Sequence, residues 1–114
     1  MSICCPHPVV DDLKTMQPAL SQPLLHAGLS SVDLDPLDVL TRVKHPGCGG
    51  LVLFSGEVRD HNQGQRVLRL EYEAYESMAR RVIGEILAEA AERWPLRTAA
   101  CVHRTGVLAP GQGA

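Results

Sequence analysis

The sequence predicts an α+β domain, and three stretches predict it. Leu51–Phe54 is a continuous apolar run of the kind a buried strand needs. Val67–Tyr75 alternates apolar and polar residues with a period of two. Glu76–Arg93 places apolar residues at the three- and four-residue spacing of a helix packed on a core. The chain has 114 residues, enough for one domain with one modest core.

Composition narrows the function classes. Hydrophobic residues make up 45% and charged residues 21%, as in an ordinary globular protein. A net charge of −2 is too small to indicate a nucleic acid or an anionic membrane as partner. The sequence holds no apolar run of the length, about 18 residues, that a membrane span needs. The N-terminus lacks a basic region, and prolines interrupt it, so a secretory signal is not expected and a cytoplasmic location is. The four cysteines, Cys4, Cys5, Cys48 and Cys101, are then expected as reduced thiols. Cys4, Cys5 and His7 with His45-x-x-Cys48 could supply soft metal ligands, as in a thiol- or metal-binding module. Adjacent cysteines, however, are a poor substitute for the paired C-x-x-C spacing of zinc sites. No metal or cofactor is expected.

Residues 1–28 hold four of the eight prolines and no sustained period, which reads as a flexible N-terminal extension; residues 29–114 form the domain. Leu29, Val32 and Leu34 fit a short strand. Asp35-Pro36 starts a helix, with aspartate as cap and proline in the first turn, and Leu37, Leu40 and Val43 form its apolar stripe. His45-Pro46-Gly47 ends it. Gly49-Gly50 precedes a strand rather than a helix and reads as a turn, not a phosphate loop.

The strand from Leu51 breaks at Ser55-Gly56 and ends in a polar tip containing Glu57, Arg59, Asp60, His61 and Asn62. A buried strand that delivers arginine and histidine into a loop is a common way to build a small-molecule site, although an ordinary hairpin with a charged turn has the same pattern. Gln63-Gly64-Gln65 supplies the turn. Leu51–Val58 and Val67–Tyr75 are expected to pair as an antiparallel hairpin, with Leu68, Leu70, Tyr72 and Ala74 on its buried face.

In the helix over Glu76–Arg93, the residues Met78, Val82, Ile83, Ile86, Leu87, Ala90 and Trp94 make a core stripe. Glu89 and Arg93 form an i,i+4 pair, and Pro95 stops the helix. Thr98–Arg104 is a further strand, with Cys101 as a small buried apolar residue. Pro110-Gly111 signals a turn with no return strand after it, so the Thr98–Leu108 segment is expected to be half-paired and the domain to lack its last portion.

Taken together, several motifs resemble the large, catalytic subunit of molybdopterin synthase. They are Gly49-Gly-Leu-Val-Leu-Phe-Ser-Gly56, Val58-Arg-Asp-His-Asn62, Leu70-Glu-Tyr-Glu-Ala-Tyr75, Glu92-Arg-Trp-Pro95 and His103-Arg-Thr-Gly-Val-Leu108. The resemblance covers roughly residues 29–113 and implies an α/β-hammerhead-like α+β fold. It also implies a central homodimer that binds two copies of a small ubiquitin-like sulfur-carrier subunit, giving a heterotetramer. The chemistry implied is transfer of sulfur from the carrier's C-terminal thiocarboxylate to cyclic pyranopterin monophosphate, making molybdopterin.

Glu57, Val58 and Arg59 match the family's first substrate-contacting segment, where the arginine belongs to an anionic pocket. Guanidinium suits bidentate phosphate or carboxylate recognition. The competing reading for Arg59 is a surface salt bridge with Asp60 or Glu57. The resemblance places the family's catalytic lysines, and a second functional His-Arg pair, beyond Ala114. His103-Arg104 matches an earlier, structural pair. Lys14 and Lys44 match no catalytic position, so no catalytic residue is assigned, and the chain is expected to be inactive alone. A non-catalytic remnant or scaffold that keeps dimer or carrier-binding surfaces is the alternative.

Overall fold

Eight strands and two helices occur among the residues that the computed structural model describes, 2–6, 22–73 and 75–114. In chain order they are β1 (Ser2–Pro6), β2 (Leu24–Ser30), α1 (Pro36–Arg42), β3 (Cys48–Leu53), β4 (His61–Asn62), β5 (Gln65–Arg66), β6 (Leu70–Tyr72), α2 (Glu76–Arg93), β7 (Thr98–Arg104) and β8 (Gly106–Leu108). The α+β class stands.

A four-stranded mixed sheet in the order β2-β7-β1-β3 forms the centre, with β2 parallel to β7 and β1 antiparallel to both its neighbours. Helices cover both faces, and β7 shows why. Its residues alternate sides, with Ala99 packed in the cluster of Leu87, Ala90 and Leu96 from α2 and its exit, and Ala100 packed with Val43 at the end of α1. Small side chains at successive positions let both helices approach the strand closely. Thr98 Oγ1 also donates a buried 2.6 Å hydrogen bond to the Val43 carbonyl, which fastens the end of α1 to the sheet.

The start of α1 and the stop of α2 follow local chemistry. Asp35 caps α1 by accepting from the Leu37 N–H at 2.9 Å, with Pro36 in the first turn. Helix α2 spans the expected residues and ends at Trp94, before Pro95, and Arg93 bonds Glu89 at 2.6 Å.

Several expectations are corrected. Of the segment expected as a flexible extension, Ser2–Pro6 is an inner strand and Leu24–Gly28 lies in β2, so order begins before Leu29; residues 7–21 lie outside the described residues. The strand expected around Leu29, Val32 and Leu34 ends at Ser30, and Val32 is exposed. Cys48 is disulfide-bonded rather than a reduced thiol, whereas Cys101 is free.

The long hairpin does not form. β3 pairs with β1, β6 pairs antiparallel with β8, and the true hairpin is the short β4–β5 pair at the tip. Period-two alternation shows that a segment is a strand but not which strand it pairs with. The turn of the short hairpin is Gln63-Gly64, both with positive φ (50° and 77°), matching the right-handed twist that a two-residue hairpin needs.

Apolar stripes are also only partly covered. Leu87 and Ala90 are buried and Ile83 packs on them, but Met78, Val82, Ile86 and Trp94 on the same helix are exposed. On α1, Val43 is buried and Leu37 is exposed. The face expected to be buried on the second strand is open at Leu68, which is 72% exposed, and at Leu70; Ala74 is outside the described residues. Finally, the Pro110-Gly111 turn does lead to a return. Residues 112–114 come back along Gly56–Val58, with Val58 N–H donating to Gln112 O (3.0 Å) and Ala114 N–H to Gly56 O (2.8 Å).

Core position and stripe position therefore have different energetic weights. Leu87→Ala is expected to lower the unfolding free energy by about 3 kcal/mol, and Met78→Ala by about 0.5 kcal/mol, in urea titrations. Equal losses would contradict the division of α2 into a covered and an open side.

Candidate functional site

The segment Glu57–Val58–Arg59 is held by its middle residue. Val58 is buried, and both its backbone groups are bonded to the returning tail: its N–H to Gln112 O, and its carbonyl from Gly111 N–H at 2.8 Å. Gly111 has φ +88°, a conformation that suits glycine, and this brings its N–H round to Val58. Because an extended chain alternates sides, fixing Val58 inward turns Glu57 and Arg59 outward, and both are exposed. Glu57 forms an antiparallel bridge with Gly113 and lines a cavity of about 510 Å³ beside Phe54 and Ser55. Arg59 is not among the residues lining that cavity.

Beyond Arg59 the chain enters the β4–β5 tip. Asp60, His61 and Arg66, with Val67, Leu68 and Pro110, line an open groove of about 610 Å³. Asp60 Oδ1 lies 2.6 Å from His61 Nδ1. The hydrogen bond from His61, and secondarily its charge, hold the Asp60 carboxyl below the ordinary aspartate range. Since Asp60 is committed to His61, Arg59 makes no ion pair among the described residues; its guanidinium donates instead to Asn62 Oδ1 at 3.3 Å. The salt-bridge reading of Arg59 is thus replaced by a contact to a neutral amide.

His103 and Arg104 stand at the end of β7, with His103 on the wall of the cavity that Glu57 lines. His103 meets Tyr72 edge to face, with ring centroids 4.8 Å apart, and its Nδ1 is 2.6 Å from the Arg104 carbonyl oxygen. The Arg104 side chain is only 6% exposed and donates to Asp33 Oδ1 at 2.8 Å. Asp33 Oδ1 also accepts from Gln112 Nε2 at 3.1 Å, and Gln112 Oε1 accepts from Ala109 N–H. Asp33 and Gln112 were not legible as positioning residues, because neither belongs to a motif and their sequence separation is large.

Among the described residues no group of three His, Cys, Asp or Glu side chains could hold a metal ion. His45 Nδ1 accepts from Gly47 N–H at 2.9 Å and Cys48 is in a disulfide, so neither offers a free ligand; His7 lies outside the described residues. Nor is any described helix long and apolar enough to cross a membrane.

Residues 29–114 match the family described as MoaE protein, and the chain belongs to that family. A molybdopterin synthase catalytic subunit of Thermoplasma volcanium is 39% identical over 80 residues, covering 70% of this chain and 58% of that protein. One from Bacillus subtilis is 37% identical over 86 residues, covering 75% and 55% respectively. One from Rattus norvegicus is 35% identical over 101 residues, covering 89% and 50%. The chain spans about half the length of these curated relatives.

The Asp60–His61 pair gives a pH signature. A depressed carboxyl favours the ionised form, so the contact is complete above the ordinary aspartate value and is lost as pH falls through the lowered one. Carboxyl NMR titration is expected to place the Asp60 midpoint below about 3.9, and His61→Ala to raise it toward that value. An unchanged midpoint in the variant would contradict the assignment.

Proposed function

We propose that the chain acts in molybdenum cofactor biosynthesis as the large-subunit component of molybdopterin synthase, where sulfur passes from a thiocarboxylated small subunit to cyclic pyranopterin monophosphate. The observation that carries the reading is the family match over residues 29–114, which includes the Val58-Arg-Asp-His-Asn62 tip. The geometry of the tip supports it. Arg59 is exposed and has no carboxylate partner among the described residues, so its guanidinium is available to a substrate phosphate. Glu57 and Val58 complete the binding segment, Glu57 facing the neighbouring cavity and Val58 fixing the backbone.

The partners in this reading are a second copy of the chain and the small sulfur carrier, together a heterotetramer in the cytoplasm. Exposed apolar side chains on α2 (Met78, Ile86) and around β6 (Leu68, Leu70) are the surfaces this reading offers to those partners.

Arg59→Ala is expected to weaken binding of cyclic pyranopterin monophosphate about 10- to 100-fold by calorimetry, the loss of one charge-assisted contact worth about 1.5–3 kcal/mol. Arg59→Lys, which keeps the charge but not the fork, is expected to fall between. Unchanged affinity in Arg59→Ala would refute the role.

Turnover is a separate matter. The only lysines in these residues are Lys14 and Lys44. Lys44 lies just past α1 and lines a pocket with Cys48 and Leu51, away from the tip residues. The 114-residue chain is therefore expected to bind pterin yet form no molybdopterin when mixed with thiocarboxylated carrier, as followed by chromatography. Product formation would overturn the claim and dispose of the scaffold alternative.

A further inference from the structure

Arg59 and Asn62 meet on the side of the β4–β5 hairpin that faces away from its groove. His61 and Arg66 are directly opposed across the hairpin and both line that groove, whereas Arg59 and Asn62 do not. Side chains alternate along a strand, so Asn62, next to His61, stands on the other face. The hairpin fixes it there. Val67 N–H donates to the Asp60 carbonyl at 2.7 Å at the base, and the Gln63-Gly64 turn closes the tip.

Two features of this contact go beyond holding a side chain. A guanidinium has donors only, so the amide must turn Oδ1 toward Arg59, as the 3.3 Å contact from Arg59 Nη2 records. Asn62 Nδ2 is then left beside the positive charge with two N–H donors and no partner among the described residues. The contact also decides which way Arg59 points. Glu57 lies two residues earlier on the same side of the extended segment. Asn62 draws the guanidinium toward the hairpin instead, and among the described residues Arg59 makes no ion pair with Glu57. At 3.3 Å the bond is long and weak, so the guanidinium can tilt onto an incoming anion at little cost.

We propose that Asn62 is both the positioning residue of Arg59 and a second ligand for the same oxyanion. Its Oδ1 steers the guanidinium, and its Nδ2 donates to the phosphate that Arg59 binds. This rests on the reading of Arg59 as the ligand of the substrate phosphate.

The test compares Asn62→Ala with the isosteric Asn62→Asp in the 114-residue chain. Two probes are titrated, inorganic phosphate by amide NMR shifts and cyclic pyranopterin monophosphate by calorimetry. Asn62→Ala is expected to weaken both three- to tenfold. Asn62→Asp is expected to weaken both more than tenfold, because it keeps the shape and the acceptor but replaces the donors with a negative charge. Gln65→Glu puts the same charge on the cross-strand partner of Asn62 and is expected to cost less than threefold. Protection of the Val67 amide is expected to stay unchanged in all three variants. Asn62→Asp binding as tightly as the unmodified chain would overturn the proposal, since a residue serving only the hairpin tolerates its isostere. An equal loss in Gln65→Glu, or affinity falling in step with Val67 protection, would overturn it too, as would no phosphate-induced shift around Arg59 and Asn62. Phosphate binding in the expected order without any pterin binding would refute the functional reading and leave the Arg59–Asn62 pair standing.

Discussion

Arg104 buries its guanidinium at the end of β7, and the candidate site hangs from the contacts around it. Its backbone N–H holds Ala114, its side chain holds Asp33, and Asp33 in turn holds Gln112. Gln112 and Gly111 then bond both backbone groups of Val58. The energetics are close to balanced. Arg104 Nε has no partner among the described residues, a cost of about 1–3 kcal/mol that the charged bond to Asp33 offsets by a similar amount. Such a network contributes little net stability, and its effect is to select one arrangement of the tail over others.

That arrangement decides what the tip can do. With Val58 held inward, Arg59 is turned outward, and with Asp60 engaged by His61, Arg59 makes no ion pair among the described residues. An arginine contacting only a neutral amide is a better anion ligand than one already in a salt bridge, because no ion pair has to be broken first. The outward arginine thus follows from backbone hydrogen bonds made by residues more than fifty positions away.

Much of this was legible in the sequence. Asp35-Pro36, Pro95 and the spacing of Leu87 and Ala90 defined α1 and α2, and the apolar runs marked β3 and β7. The tip residues Glu57, Val58 and Arg59 were identifiable only through the combined motifs. Strand partnership was not legible, because alternation at Leu68, Leu70 and Tyr72 is the same whether the partner is β3 or β8. The role of Ser2–Pro6 was hidden as well: five residues ending in proline carry no signal for an inner strand. Asp33 and Gln112 are joined across 79 sequence positions, and no local period records such a contact.

The central claim is that the Arg104–Asp33–Gln112 contacts hold Val58 and thereby present Arg59. Asp33→Ala tests it most directly, because it leaves the buried guanidinium without its carboxylate while barely altering the surface, Asp33 being 74% exposed. Amide hydrogen exchange is the measurement. The amides of Val58, Gly111 and Ala114 are expected to lose protection more than tenfold beyond any loss at Leu87, with a global destabilisation of about 2 kcal/mol. Protection at Val58 and Ala114 that falls only in step with Leu87 would contradict the account.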